Sequence, residues 1–342
     1  MNKNNTKIAV VGATGMVGQT MLSILAERGY KIENITAIAS DSSQGKTISY
    51  GEDGLLTIQS LSNFDFNNAQ IALFSPGSEI SKVYAPIAAQ TGCLVIDNTS
   101  YFRMRPDVPL IIPEINGDEI KNAHQTNIIA NPNCSTIQLL MALKPLHDLY
   151  KIRRVVVSTY QSVSGAGKDA MDELFRQTKN VSLSQSMEKK VFQKPIAFNV
   201  IPQIDVFLED GSTKEEWKMV AETKKILDPK IKVSATCVRV PVCVGHSVSA
   251  NVEFENDIDI DLDAIRTAVN NASGVILLDN PDHMLYATPL DCAGEDNVYI
   301  SRLRDDQSLE NGINMWIVAD NIRKGAALNA IQIAELYMKH KY

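Results

Sequence analysis

The stretch KIAVVGATGMVGQTMLSILAERG, residues 7–29, limits the fold more than any other part of the chain. An apolar strand from Ile8 to Val11 meets glycines at 12, 15 and 18, and an apolar run at helical spacing follows. Strand, glycine turn and helix in that order open a dinucleotide-binding βαβ unit. Gly12 permits the tight turn, Gly15 lets a pyrophosphate approach the backbone, and Gly18 lets the helix close on the sheet. The helix start adds amide donors and partial positive charge. The spacing G-x-x-G-x-x-G is one step off the usual pattern, so the setting carries the motif more than the glycines do.

The rest of the first part repeats the alternation. IALF, CLVID and NIIA are short apolar strands, and runs such as SEISKVYAPIAAQTG between them have helical composition. Alternation to about residue 130 implies a parallel, doubly wound sheet. The pattern then changes. RRVVVSTY, SVSANVEF, VYISRLR and INMWIVA are longer strands rich in Val, Ile and Tyr, and several alternate inward and outward. They imply a mixed or antiparallel sheet with helices on one face. The final stretch DNIRKGAALNAIQIAELYMKHKY is an amphipathic helix, with Ala327, Ile331, Ala334 and Leu336 near one side, that returns to the first domain. The expected fold is α/β: a Rossmann-type dinucleotide-binding domain over 1–130, completed by the helix at 320–342, and an α+β domain with a mixed or antiparallel sheet over 131–319. Residues 178–216 read as a polar surface excursion.

With 342 residues, two domains are expected rather than one. A net charge of −7 without a basic, aromatic-interleaved cluster argues against nucleic acid as partner. The polar start MNKNNTK leads straight into a strand and lacks the apolar region of a signal peptide. No apolar run is long enough to span a bilayer. The five cysteines are scattered and form no C-x-x-C, so neither disulfides nor zinc are expected, and a reducing cytoplasm fits.

One cysteine is placed differently from the others. In NIIANPNCSTIQLLMALKPL, Cys134 follows an Asn-Pro-Asn turn and opens an apolar helical run that Pro145 interrupts. A thiol at a helix start is favoured as thiolate, and amides of the turn can hold an oxyanion when sulfur attacks a carbonyl. A thiolate beside a dinucleotide site suggests hydride transfer through a thioester that phosphate cleaves, or the reverse, reduction of an acyl phosphate. That step calls for an imidazole. Of the five histidines, His124, His147, His283 and His340 sit in polar or helical surroundings and read as solvated. His246 follows a glycine at the start of an alternating strand. In the loop after the second strand, ASDSSQGK, Asp41 lies one step past the strand end among Ser40, Ser42, Ser43 and Lys46. Hydroxyls with a cation suit a 2′-phosphate, which favours NADP.

GATGMVG, NPNCSTIQ, STYQSVSGAGK, EEWKM and RVPVCVGHS, extended by VADNIRKGAALNA, together resemble the aspartate-β-semialdehyde dehydrogenase family over effectively the whole chain. The related N-acetyl-glutamyl-phosphate reductases share the fold and a Cys/His pair, but their cysteine motif is of the NPGCY kind. A non-catalytic NADP-binding regulator is the reading from another class, and the presence together of Cys134, Gln161, Arg239 and His246 argues against it.

The resemblance implies Cys134 as nucleophile, His246 as general acid/base and Gln161 as the holder of substrate and acyl intermediate. It implies Arg239 on the substrate α-carboxylate, Glu215 on its ammonium, and Lys218 and Arg103, assisted by Asn133, on the phosphoryl group. Read alone, Glu215 and Lys218 are a solvated helix face, and Arg103 and Arg105 are ambiguous. The NADP site would take Gly12, Thr14, Gly15, Met16, Val17, Gly18, Ser40, Ser43, Ser164, Gly165, Pro195 and Asn321. The implied partners are small molecules (aspartyl phosphate, aspartate semialdehyde and phosphate) and a second copy of the chain; no metal is implied.

Overall fold

The structure is a computed structural model that describes residues 3, 5–255 and 260–340. The ends of the two expected terminal segments, residues 1, 2, 4, 341 and 342, lie outside the described residues. The chain forms two compact units, Met1–Asn133 with Ala326–Tyr342, and Cys134–Gly325. The divisions fall at 133/134 and 325/326, against 130/131 and 319/320 read from the sequence.

In the first unit the strands β1 (Ile8–Val11), β2 (Ile35–Ala39), β3 (Gln59–Ser60), β4 (Ile71–Phe74), β5 (Leu94–Asp97) and β6 (Ile128–Ala130) form one sheet in the order β3-β2-β1-β4-β5-β6. Every pairing in it is parallel. β1, β4 and β5 are buried at every position, so both faces are covered, which is why they read as unbroken apolar runs. β1 lies where the strand order reverses, the position at which such sheets take ligands. Ala327, Leu328, Ala330, Ile331, Ile333, Ala334 and Met338 of the C-terminal helix belong to the core of this unit.

The glycine turn shows why residue size matters there. Gly12 has φ +85°, and a Cβ on it would lie 2.6 Å from the Ser75 carbonyl oxygen. On Gly18, inside helix α1 (Met16–Glu27), a Cβ would lie 2.2 Å from the Gly12 oxygen.

The second unit holds α2 (Cys134–Leu149), β7 (Ile152–Gln161), α3 (Lys168–Ser182), α4 (Lys214–Ile226), β8 (Lys232–Arg239), β9 (His246–Phe254), α5 (Leu262–Asn270), β10 (Val275–Leu277), β11 (Val298–Asp305) and β12 (Gly312–Ala319). The sheet order is β8-β7-β9-β12-β11-β10. β7/β8 and β10/β11 are parallel and the other neighbours antiparallel, so the sheet is mixed. α2 is buried on nearly all sides and runs on through Pro145 rather than stopping there. A proline removes one helical hydrogen bond, and here the buried apolar helix tolerates the loss.

The 178–216 stretch is more anchored than its polarity implies. α3 extends to Ser182 and α4 begins at Lys214. Between them Ile196, Ala197 and Ile201 join Val163, Ala170 and Leu174 in a small apolar core. The buried Glu173 carboxylate accepts the Lys190 and Val191 amides at 2.7 and 2.6 Å, and Gln177 Oε1 accepts those of Ile196 and Ala197 at 2.8 and 3.1 Å. Those bonds satisfy loop amides that burial would otherwise leave unpaired.

Gly18→Ala tests the close approach. Helix propensity alone favours alanine by about 1 kcal/mol. The clash with backbone should reverse the sign and lower unfolding free energy by about 1–3 kcal/mol, the usual scale of overpacking. Urea denaturation measures it; a stabilised variant would mean the turn has slack.

Candidate active site

Connectivity brings the chemically distinctive residues of the second unit to one edge of its sheet. Gln161 ends β7 and is the register partner of Arg239, which ends the parallel strand β8. β9 is antiparallel to both neighbours, so its first residue, His246, lies at that same edge, opposite Ala319 at the end of β12. α2 leads back into β7 and α4 into β8, so each helix starts near the end of the strand it precedes. The side chains agree with this. Gln161 Nε2 donates to Ser135 Oγ, next to Cys134, and to Glu215 Oε1 at 3.0 Å. Gln138, one turn along α2, donates to the His246 carbonyl at 3.1 Å.

Cys134 is the first residue of α2 and is half-buried. The positive end of a helix there favours an anion. A Cβ on Gly325 would lie 2.8 Å from Cys134 Cβ, so this glycine sets the room behind the nucleophile candidate.

The charges are deeply placed. Glu215 is 5% exposed, and its second oxygen takes the Lys218 ammonium at 3.1 Å. Lys218 is shared with Asp205 at 2.8 Å. Burial works against the Lys218 ammonium, but the charges of Glu215 and Asp205 outweigh it and hold its pKa above the ordinary value. Burial likewise raises the Asp205 carboxyl, yet Lys218 holds it below its usual range. Arg239 Nη1 donates to the Ser162 carbonyl at 2.6 Å. Its pKa is lowered by burial, against the opposing pull of Glu215. His246 is fully buried, and its pKa is pushed down to about 3 by burial first and the Arg239 charge second. Gln161 Oε1 and His246 Nε2 are buried and have no hydrogen-bond partner among the described residues.

The remaining expected residues divide between the units. Arg103 and Asn133 are buried in the first, where Arg103 Nη2 donates to the Asn98 carbonyl at 2.8 Å. Arg105 pairs with Asp107 on the surface. Thr14 and Gly15 are exposed at the start of α1, followed by Met16 and Val17. That helix has no side-chain cap and no acidic residue in its first turn, which leaves its amides for an anionic ligand. The turn therefore fits a dinucleotide phosphate. Ser40 and Ser43 lie on the surface loop after β2, where Ser40 Oγ is 3.0 Å from Ser42 Oγ. Asp41 is drawn to Ser60 and Ser62, whose hydroxyls lower its pKa. In the second unit Gly165 is exposed, Pro195 half-buried and Ser164 buried. Asn321 is turned inward: its Oδ1 accepts from Ser162 Oγ at 3.0 Å and from the Gly245 amide at 2.9 Å, and its Nδ2 donates to Ser164 Oγ at 3.0 Å.

One histidine differs from expectation. His147 is buried, with Nδ1 accepting the Ile152 amide at 3.2 Å and Nε2 3.4 Å from Asp228, so it is not solvated. Sequence reasoning also missed Ser135, Ser162, Asp205 and Gly325. Ser162 acts here through its backbone, which no residue pattern reveals. Asp205 adopts φ +68°, and nothing in PQIDVF links it to Lys218.

Known proteins resemble this chain over nearly its whole length. Residues 7–123 match the model of the semialdehyde dehydrogenase NAD-binding domain, and residues 143–324 that of the semialdehyde dehydrogenase dimerisation domain. The aspartate-semialdehyde dehydrogenases of Rickettsia bellii and Aquifex aeolicus are each 50% identical, over 332 and 337 residues; the matches cover 97% of this chain in both cases and 97% and 98% of those proteins. The crystal structure of aspartate semialdehyde dehydrogenase II complexed with ASA from Vibrio cholerae has a TM-score of 0.95 at 47% identity, covering 98% of this chain and 99% of that one. The Candida albicans enzyme with NADP has a TM-score of 0.74 at 25% identity, covering 98% and 99%.

The depressed His246 pKa has a consequence for stability. The ring is neutral in the fold, whereas in the unfolded chain it protonates below about 6.5. Its contribution is complete above that pH and is lost on acidification, by up to about 1.4 kcal/mol per unit. Urea unfolding of wild type and His246→Gln at pH 7.5 and 5 should therefore show the gap between them shrink by about 2 kcal/mol at the lower pH. A constant gap would mean the folded ring titrates normally.

Proposed function

The chain belongs to the aspartate-semialdehyde dehydrogenase family, oxidoreductases that act on the aldehyde group with phosphate, and on that premise we propose that it reduces L-aspartyl-4-phosphate to L-aspartate-4-semialdehyde and phosphate through a Cys134 thioester. The reading rests on one observation above the others. The unit that carries Cys134 at a helix start also gathers Gln161, Glu215, Arg239 and His246 at one sheet edge, with Gln161 Oε1 and His246 Nε2 buried and unpartnered among the described residues. Both atoms stand at the same site as the thiol-bearing helix start, with hydrogen-bonding capacity that a substrate can take up.

In this reading the Cys134 sulfur attacks the acyl carbon and displaces phosphate. Gln161 orients the acyl group, and His246 faces the reacting carbonyl. Arg239 takes the α-carboxylate through its planar fork. Glu215 takes the ammonium by opposite charge. Lys218 and Arg103, with Asn133, take the phosphoryl group. The nicotinamide cofactor supplies the hydride when bound, held by the Gly12–Gly18 turn with Thr14, Met16 and Val17, and by Ser40, Ser43, Ser164, Gly165 and Pro195; Asn321 contributes by fixing Ser164. NADP is favoured over NAD because Asp41, the carboxylate that could hold a ribose 2′-hydroxyl, is taken up by Ser60 and Ser62. The product serves lysine, methionine, threonine and diaminopimelate synthesis in the cytoplasm. The enzyme works as a homodimer, as the dimerisation-domain match suggests.

Phosphate-dependent reduction of NADP with aspartate semialdehyde tests the activity directly. Cys134→Ala should abolish turnover and leave NADPH affinity nearly unchanged. Mass spectrometry of wild type mixed with aspartyl phosphate should show one added aspartyl group. The same adduct on Cys134→Ala would remove Cys134 from the mechanism.

Cofactor choice is tested separately. Wild type should prefer NADP, and Ser40→Asp should narrow or reverse the preference by like-charge repulsion against a 2′-phosphate. Equal use of both cofactors by wild type would overturn the assignment.

A further inference from the structure

Helix α3 carries two buried acceptors that face a loop. Glu173 and Gln177 stand one turn apart and are fully buried. Glu173 Oε2 accepts the amides of Lys190 and Val191 at 2.7 and 2.6 Å, and Oε1 accepts Gln177 Nε2 at 3.1 Å. Gln177 Oε1 accepts the amides of Ile196 and Ala197, and its Nε2 also donates to the Glu188 carbonyl at 2.8 Å. Every group that meets Glu173 through these bonds is a donor, so only a side chain with two acceptor oxygens serves all of them. A glutamine there would carry one oxygen and one NH2. Turning it, or turning Gln177, moves the donor-against-donor contact from one place to another without removing it.

The loop so held, residues 188–201, is a strap moored at both ends. Beyond Ala197 it reaches Ile201, which exchanges two backbone hydrogen bonds of 2.9 Å with Arg239 at the end of β8. Between the moorings lies Pro195, directly before the two amides that Gln177 holds, and its carbonyl accepts Asn199 Nδ2 at 2.8 Å. The underside of the strap is apolar. Ile196, Ala197 and Ile201 share one small core with Ala170 and Leu174 of α3 and with Val163, and Phe192 and Cys243 pack on it. Val163 opens the turn Val163–Ala166 that carries Ser164 and Gly165. The amides of Val163 and Ser164 donate to the carbonyls of Val242 and Cys243 at 2.8 and 3.1 Å. Pro195 and the Ser164–Gly165 pair therefore rest on the same apolar core. Residues 181–191 are exposed throughout. Apolar burial does little to order the approach to Pro195, and the acceptors of α3 do that instead.

Resting on the function proposed above, in which Pro195, Ser164 and Gly165 line the cofactor site, we propose that Glu173 and Gln177 are positioning residues for the nicotinamide cofactor: they hold the strap 188–201 so that Pro195 stands against the dinucleotide. Neither side chain touches the cofactor. They act by setting the fraction of molecules in which the strap is in place, and an apparent dissociation constant rises as that fraction falls. A strap in place for about one tenth of the time weakens cofactor binding about tenfold. The coupling is reciprocal, so bound cofactor draws a loosened strap back into place. Cys134 and Gln161 lie outside the strap, and the chemistry at saturating cofactor is left nearly as it is.

Hydrogen–deuterium exchange and NADPH titration on the full-length protein test this. In wild type the amides of Lys190, Val191, Ile196 and Ala197 should exchange slowly, and NADPH should slow them further. In Glu173→Gln they should exchange faster, and the Kd for NADPH should rise about tenfold. The kcat at saturating NADPH should stay close to that of wild type, and NADPH should restore much of the lost protection. Should Glu173→Gln not fold, Gln177→Met, which keeps the bulk and loses the acceptor for Ile196 and Ala197, is read in the same way. A wild-type strap indifferent to NADPH, slow strap exchange in the variant, or fast exchange with the Kd for NADPH unchanged would overturn the inference. So would a fall in kcat with that Kd unchanged, which is the mark of a general structural loss. The result is separable from the function itself: wild type that does not bind NADPH defeats the cofactor reading, whereas wild type and variant that bind it equally well defeat only the role of the strap.

Discussion

A buried carboxylate must be matched by donors or it loses its charge, and the second unit is arranged around one such group. Glu215 gives one oxygen to Gln161 and the other to Lys218. Gln161 thereby reaches Ser135 beside Cys134, and Lys218 reaches Asp205 in the loop before α4. One side chain therefore ties the helix carrying the thiol, a strand end and a loop into a single charged network. The same anion offsets part of what burial does to Arg239 and His246, so it shapes their chemistry as well as their positions.

The network is possible because connectivity delivers its members to one place. Helix followed by strand, twice over, puts the starts of α2 and α4 by the ends of β7 and β8. The antiparallel strand β9 then brings His246 to that edge from the opposite direction. In the first unit a different constraint rules: backbone approaches backbone closely enough at Gly12 and Gly18 that a single methyl group would collide with a carbonyl oxygen. Small residues there allow helix and sheet to close, and the exposed helix start at Thr14 and Gly15 remains available to an anion.

Much of this was legible beforehand because it is written in local patterns. Apolar runs between glycines have one economical arrangement, a covered parallel sheet, and β1, β4 and β5 are buried throughout. The longer alternating strands of the second unit imply a half-covered sheet for the same reason. Cys134, Gln161, Glu215, Lys218, Arg239 and His246 stand in short motifs whose residue types suggest chemistry. Their resemblance to a family supplied roles that charge pattern alone left open for Glu215 and Lys218.

What the residue order could not convey is whatever depends on atoms meeting across the chain. His147 looks solvated in KPLHDLY, yet Asp228 and the Ile152 amide enclose it. Pro145 looks like a stop, yet a helix buried on nearly all sides runs through it. Asp205 becomes the second carboxylate of Lys218 only because its loop folds back in a left-handed conformation. The Ser162 amide has no signature at all, since every residue but proline carries one, and its direction towards Nδ1 of His246 exists only once β7 and β9 are paired. Residue types and their local periods therefore specify the strands, helices and candidate groups. Hydrogen-bond direction, burial and the sharing of charge arise from long-range contacts, which no local pattern of residues contains.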